Sequence, residues 1–309
     1  MHLQRTLKKE ILCSSIGLHT GRKVNMKIKP APVDTGIVFV RKDLPDSRPI
    51  LADFEMVCDT TFATTLGADG VTVSTVEHLL SAFSGMGLDN ALIEIDSFEV
   101  PIMDGSSRPF VNMLKTVGTR SQGKSKKMLL IKKPVSVKEG DISAMLLPSE
   151  EFKITYEIDF AHPAIGIQSY SFAFTDKNYE DKICHARTFG FLKDVEFFQA
   201  KGLALGASLD NAIVLDDQKI INKSGLRMPD EFVKHKILDA IGDLFLLGMP
   251  IIGHFVAHKS GHRLNNLLLR ELMQNESSWE IIEEYDQKQS TKFTACRIPS
   301  FTILDAAQI

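Results

Sequence analysis

Cysteine is scarce in this 309-residue sequence, and the four present, Cys13, Cys58, Cys184 and Cys296, are scattered with no C-x-x-C pair. Such spacing predicts reduced thiols in a cytoplasm rather than a disulfide framework. An excess of basic charge is also missing. The 36 Lys and Arg are outweighed by 39 Asp and Glu, for a net charge of −3. Nucleic acid is therefore not expected as the main partner, because gripping a phosphate backbone needs a concentrated basic surface. The opening MHLQRTLKKE lacks the apolar core of a secretory signal. The longest apolar stretch, around Leu244 to Ile252, is broken by Gly248 and Pro250 and is far too short to span a bilayer. A cytoplasmic, soluble chain is the expectation. What is present fits it: 44% apolar and 24% charged residues, over a length that favours two domains at roughly 100–200 residues each.

The most informative stretch is Pro229 to Gly248, PDEFVKHKILDAIGDLFLLG. Proline and an acid open it, Gly248 and Pro250 close it, and its interior favours a helix. At about 100° per residue, Val233, Ile237, Leu238, Ile241, Leu244 and Phe245 share one apolar arc. His235, Asp239 and Asp243 recur at i, i+4 and i+8 and form a narrow stripe on the other side. Gly242 lies beside that stripe and leaves room for something to approach. His and Asp one turn apart can reach a single metal ion, although an ordinary solvated face would have the same spacing.

Upstream, short strands are predicted in LQRTLKKEILCSS, VNMKIKPA and TGIVFVRK, with His19 on the glycine-flanked turn Gly17-Leu-His-Thr-Gly21. A turn histidine is usually solvated and idle; the alternative places His19 near the site. Ser74-Thr-Val-Glu77 has the capping-box pattern, so Glu77 has a structural explanation as a cap of its own helix. His78 beside it would pass as a satisfied core histidine. Gly85 and Gly87 stop that helix, Ala91 to Ile95 is a strand, and Pro101-Ile-Met-Asp-Gly-Ser-Ser107 is a loop before a helix opened by Pro109. Gly118 to Lys127, GTRSQGKSKK, is polar with no apolar period and reads as a linker.

The second half repeats this plan. Strands in MLLIKKPVSVKEG, ISAMLLP and FKITYEIDF precede the His235 helix, followed by the strand Ile251 to Ala257, the loop Lys259-Ser-Gly-His262 and the helix LNNLLLRELMQ. Val76-Glu-His78 and Val233-Lys-His235 occupy matching places, as after an internal duplication. Domains at 1–123 and 124–309 follow, with an insertion around 183–212 that has no counterpart. If the halves pack face to face, the two histidines can meet at the junction, where ligand sites tend to form. The insertion is rich in Phe and Leu and reads either as a small satellite core or as an apolar passage for an alkyl chain.

Five motifs in this order resemble a known family. They are Ser74-Thr-Val-Glu-His78, Pro101-Ile-Met-Asp-Gly-Ser106, Ala186-Arg-Thr-Phe-Gly-Phe191, His235-Lys-x-Leu-Asp-Ala-Ile-Gly-Asp243 and Ser260-Gly-His262-x-Leu-Asn-Asn266. The match begins at Gln4-Arg-Thr-Leu-Lys8 and runs over nearly the whole chain. The family is that of the UDP-3-O-acyl-N-acetylglucosamine deacetylases, zinc amidases that catalyse the committed step of lipid A biosynthesis in Gram-negative bacteria. The resemblance implies an α+β fold of two similar two-layer sheet/helix domains with the active site between them. It implies one catalytic Zn2+ held by His78, His235 and Asp239, with Glu77 as general base, His262 as general acid and Asp243 orienting His262. Thr188 and Lys236 would contact the reacting centre and a nearby oxyanion or phosphate. Phe160 would stack on uracil, Lys259 would help hold the diphosphate, and the insertion would become the acyl passage, using Phe189, Leu192, Val195, Ala207 and Leu209.

Some positions depart from the family. Ala63 stands where relatives often have cysteine, which leaves the mechanism intact because that thiol is no ligand. Gly206-Ala207 replaces a pair of glycines, and one methyl group in a narrow tube bears on acyl length. The tail SFTILDAAQI is apolar like a degradation signal of relatives but differs from it in sequence; a regulatory protease would be the corresponding partner. Two other functions fit parts of the pattern: a zinc amidase acting on another N-acetylated sugar or a peptide, and a non-catalytic sugar-nucleotide or acyl-carrier binding module. The first would keep the metal site without using Phe160 or the insertion. The second would bind no stoichiometric zinc.

Overall fold

The structure, a computed structural model, describes residues 3–200 and 202–283. Cys296 and the tail SFTILDAAQI, with the protease expected to act on it, lie outside the described residues. The fold is α+β, built on two five-stranded sheets with the same internal plan. The first runs Ile11–Ile16, Lys23–Pro30, Ala91–Ile95, Ile37–Arg41, Ile50–Leu51 across the sheet. The second runs Val135–Glu139, Ile142–Leu147, His254–His258, Lys153–Phe160, Gly166–Ala173. In both, the third and fourth strands pair in parallel and every other neighbour is antiparallel.

Six helices are described: α1 Glu77–Gly85, α2 Arg108–Val117, α3 Asp176–Lys182, α4 Leu192–Ala200, α5 Glu231–Phe245 and α6 His262–Gln274. The apolar arc of α5 faces inward as its periodicity predicts, with Val233, Ile237, Leu238 and Ile241 fully buried. Its polar stripe is not solvated, however. His235, Asp239 and Asp243 are all buried, because α1 packs against α5. Gly242 permits that approach: a Cβ there would collide with the Glu77 carbonyl oxygen. A hydrogen-bonding stripe thus faces a second helix instead of water.

The stretch expected to be a linker is a strand. Thr119–Ser125 pairs antiparallel with Leu3–Leu7 in a two-stranded ribbon. A ribbon held by its backbone needs no apolar period, so the sequence offered no sign of it. Its Gln122 side chain accepts from the Asn90 amide at 2.8 Å and donates to the Ala31 carbonyl at 2.9 Å. Three further strand readings are refined. Residues 3–16 form two strands instead of one, and the edge strand Gly166–Ala173, unforeseen, half faces solvent. Gly253 divides Ile251–Ile252, in a three-stranded sheet, from His254–His258 in the second large sheet. Phe189–Phe191, inside the insertion, pairs in parallel with Ile213–Leu215 just beyond its end, with α4 between them in the chain.

Candidate active site

Packing of α1 on α5 brings His78 to His235 and Asp239. The two imidazole rings are 5.0 Å apart at 82°. Oδ1 of Asp239 lies 3.5 Å from Nε2 of His78 and 3.3 Å from Nε2 of His235. The ligating atoms of all three residues fall within 4.8 Å of one another. His235 Nδ1–H donates to the Ala186 carbonyl at 3.1 Å, since a carbonyl can only accept, and this leaves the Nε2 lone pair facing the cluster. Burial pushes the His235 pKa down to about 3, so the ring is neutral and its Nε2 could serve a metal. Burial opposes ionisation of Asp239, but the Lys236 ammonium, at 2.7 Å from Oδ2, holds its carboxyl well below the ordinary value.

These residues fit a divalent metal ion. Asp239 Oδ1 is buried without a hydrogen-bond partner, and so is Nδ1 of His78. An orphaned carboxylate oxygen between two imidazole nitrogens is costly in a protein interior unless a cation meets it. The satisfied core histidine considered for residue 78 does not describe this arrangement. Two nitrogens and one oxygen match the three-ligand set of catalytic zinc sites, which keep a further position open.

Around this cluster the remaining polar side chains form a second network. Glu77 does not build the capping box its sequence suggested. The N-cap residue of α1 is Val76, which makes no side-chain cap, and the Ser74 hydroxyl is engaged with that of Thr65 at 2.8 Å. The Glu77 carboxylate instead accepts from the Thr64 backbone N–H at 3.1 Å and lies 4.0 Å from Nε2 of His262. Burial raises its pKa. His262, first residue of α6, donates from Nδ1 to Asp243 at 2.9 Å. Burial opposes its charge, but Asp243 and then Glu77 push its pKa up to about 9. The loop Pro101 to Ser107 supports α1 from outside: the Ser107 hydroxyl donates to the His78 carbonyl at 2.7 Å. Gly105 is required there, because a Cβ would collide with the Asn211 carbonyl.

The cluster opens into a cavity of about 380 Å³. Glu77, His78, Thr188, His235, Lys236, Asp239 and His262 line it, as do Phe160, Phe189, Val195 and Ala207. Asp243 sits behind His262, outside the lining. Leu192 and Leu209 are not brought to this wall; they are 37% and 49% exposed. Lys259 also lies away from it, paired with Asp141 at 2.8 Å and Asp159 at 3.1 Å, next in sequence to Phe160. His19, left open by the sequence, does line the cavity, with both ring nitrogens buried and unpartnered and its ring 6.1 Å from that of Phe62. Phe198, from the insertion, and Phe62, which the sequence did not assign, have rings 4.8 Å apart and complete the apolar stretch of this wall.

Thr64 and Asn265 were also missed. Asn265 follows His262 by three residues and so shares its helix face, a spacing that offered a clue. Nothing near Thr64 in the chain points to a partner 179 residues away.

Comparison with known proteins follows the same line. The family model described as UDP-3-O-acyl N-acetylglycosamine deacetylase matches residues 4–274. The chain is similar to the UDP-3-O-acyl-N-acetylglucosamine deacetylase of Syntrophus aciditrophicus (strain SB), at 57% identity over 99% of both chains. It is similar to the enzyme of the same name from Myxococcus xanthus (strain DK1622), at 52% identity over 90% of this chain and 89% of the relative. The Alcanivorax borkumensis protein of that name is 51% identical over 90% of this chain and 92% of its own. A family match over nearly the whole length, joined to a buried His/His/Asp cluster with a carboxylate and an imidazole beside it, leads to one conclusion: the chain belongs to the UDP-3-O-acyl N-acetylglycosamine deacetylase family.

Proposed function

We propose that this protein is a zinc-dependent amidase that removes the N-acetyl group of UDP-3-O-(3-hydroxyacyl)-N-acetylglucosamine, releasing acetate at the committed step of lipid A biosynthesis. The observation that carries the reading is the convergence of His78, His235 and Asp239 in one cavity with Glu77 and His262. His78, His235 and Asp239 would hold the metal, which when bound acidifies water and polarises the amide carbonyl. Glu77, next in sequence to a ligand, takes the proton of the attacking water as its oxygen joins the acetyl carbon. The Thr188 hydroxyl and the Lys236 ammonium are the polar groups on the cavity wall suited to the negative charge that develops on the carbonyl oxygen. His262, with Nδ1–H committed to Asp243, presents Nε2 and gives its proton to the departing sugar nitrogen as the C–N bond breaks.

At the substrate's other ends the assignments rest on chemistry. Phe160 packs edge-on to Phe189 at 5.6 Å and offers a ring for uracil, with Lys259 close by in the fold for the diphosphate. Phe189, Val195 and Ala207, with Phe62 and Phe198, suit an acyl chain; Leu192 and Leu209 would join only at its far end. The matching strand orders support reading the chain as two duplicated domains, with the boundary moved from 123/124 to beyond the strand Thr119–Ser125. Among the described residues no helix is long and apolar enough to cross a membrane, in keeping with a proposed cytoplasmic site.

The pH dependence follows from two groups of opposite sense. Glu77 must be ionised, and burial raises its pKa, so activity falls on the acid side above the ordinary carboxylate range. His262 must be protonated, so activity falls on the basic side near its value of about 9. The profile of kcat/KM is expected to be a bell. In His262→Ala the basic limb should vanish and the residual rate should drop by roughly 10²–10⁴. An unchanged profile in that variant removes His262 from the mechanism.

The reading itself is tested by acetate release from the acylated UDP-sugar, set against UDP-N-acetylglucosamine without the acyl chain and against free N-acetylglucosamine. We expect kcat/KM to fall by at least about 10²-fold when the chain is removed, as apolar contacts along several methylenes are lost. Equal values for the first two substrates would make the Phe-rich insertion mere core. No release from any of them would refute the function.

A further inference from the structure

Thr64 is fully committed to hydrogen bonds that join the two halves of the catalytic apparatus. It is 2% exposed and precedes the strand Thr65–Ala68. Its backbone N–H donates to Oε2 of Glu77 at 3.1 Å, and its carbonyl accepts from the Val76 N–H at 3.4 Å. Both bonds hold it to the start of α1. Its hydroxyl crosses to α5 and donates to Oδ1 of Asp243 at 2.6 Å. The other oxygen of Asp243 is filled by His262 Nδ1 and the Asn265 amide, each at 2.9 Å. Asn265 is fixed in turn by the Ser260 hydroxyl at 2.8 Å. With Glu77 and His262 facing each other at 4.0 Å, the loop of contacts closes: Glu77, Thr64, Asp243, His262, Glu77.

We infer that Thr64 is a positioning residue of the deacetylation, setting the general base and the His262–Asp243 pair in fixed register across the interface between α1 and α5. The inference rests on the proposed amide hydrolysis and adds a residue to it. The physical reason is rotational. Two donors on Oδ2 alone leave the Asp243 carboxylate free to swing about its Cβ–Cγ bond, and His262 would swing with it. The Thr64 hydroxyl on Oδ1 fixes that torsion, while its own N–H fixes a Glu77 oxygen. One residue thereby sets the distance between proton acceptor and proton donor. Near-attack geometry is sensitive to displacements of about 1 Å, which cost on the order of 10²-fold in rate. The short hydroxyl–carboxylate bond is of the charge-assisted kind, stronger than a neutral pair.

The test uses Thr64→Val, which keeps the β-branch and the N–H but loses the hydroxyl, with Thr64→Ser as the variant that restores it. Metal content and thermal unfolding are measured first, then kcat and KM on the acylated UDP-sugar. For Thr64→Val we expect kcat to drop by about 10- to 100-fold. KM should stay within about twofold and metal should remain stoichiometric, because no substrate or metal contact is removed. Thr64→Ser should recover most of kcat. Wild-type kcat in folded Thr64→Val overturns the inference. So does a loss in KM instead of kcat, or a folded Thr64→Ser as impaired as the valine variant. If Thr64→Val does not fold, the serine variant still decides: a drop of more than about tenfold in kcat for folded Thr64→Ser refutes a role carried by the hydroxyl. Failure of the underlying function is separately visible, since the wild-type protein would then release no acetate.

Discussion

Asp239→Ala is expected to yield a folded protein without stoichiometric metal and with acetate release reduced by about 10³-fold or more. Oδ1 of Asp239 lies between two imidazole nitrogens at 3.3 and 3.5 Å and has no donor of its own. Removing it takes away the only anionic member of the set, leaving two neutral nitrogens to hold a divalent ion. The change also strips the Lys236 ammonium of the carboxylate it touches at 2.7 Å. That places an unbalanced positive charge beside the metal position and weakens binding further. His235→Ala should behave alike, by losing a nitrogen whose direction is set by the Ala186 carbonyl. Elemental analysis of the purified variants, with and without added Zn2+, reads the outcome. Wild-type metal content with wild-type turnover in either variant would sink the ligand assignment.

Glu77→Gln is expected to separate chemistry from metal binding. Its kcat should fall by roughly 10²–10⁴ while metal content and KM stay near those of the wild type. Glutamine keeps the shape of the side chain and an oxygen to accept from the Thr64 N–H, now at 3.1 Å from Oε2, but cannot take a proton from water. Burial raises the Glu77 pKa, which makes the carboxylate a stronger base than one in solvent. Helix stability should change little, since Glu77 makes no cap of α1. A variant whose main defect is a lowered melting temperature, with kcat preserved in the folded fraction, would return Glu77 to a structural role.

Much of the site could be read before any folding was considered, and the reason is local. The stripe His235, Asp239, Asp243 depends only on 3.6 residues per turn, and α5 runs over Glu231–Phe245 inside the predicted Pro229 to Gly248. The order of five motifs carried the family, and with it the three residues proposed to hold the metal, which the fold brings together. The failures were equally physical. The segment Thr119–Ser125 looked like a linker because a polar ribbon leaves no apolar period to detect. The capping box at Ser74 failed because the tertiary structure offered both partners better bonds: Thr65 for the serine, Thr64 for the glutamate. Propensity yields where a buried polar group must be satisfied.

The sequence by itself determined which side chains share a helix face, how α5 begins and ends, and which family the chain belongs to. Those are properties of neighbouring residues or of their order. Only the tertiary structure decided that the polar stripe of α5 is buried, because burial depends on α1 lying across Gly242. It alone joined Thr64 to Asp243 over a separation of 179 residues, and put His19 and Phe62 on the wall of the same cavity as His262. Contacts between segments so far apart leave no periodic trace in the chain, since they are fixed by how whole elements pack and not by the residues on either side.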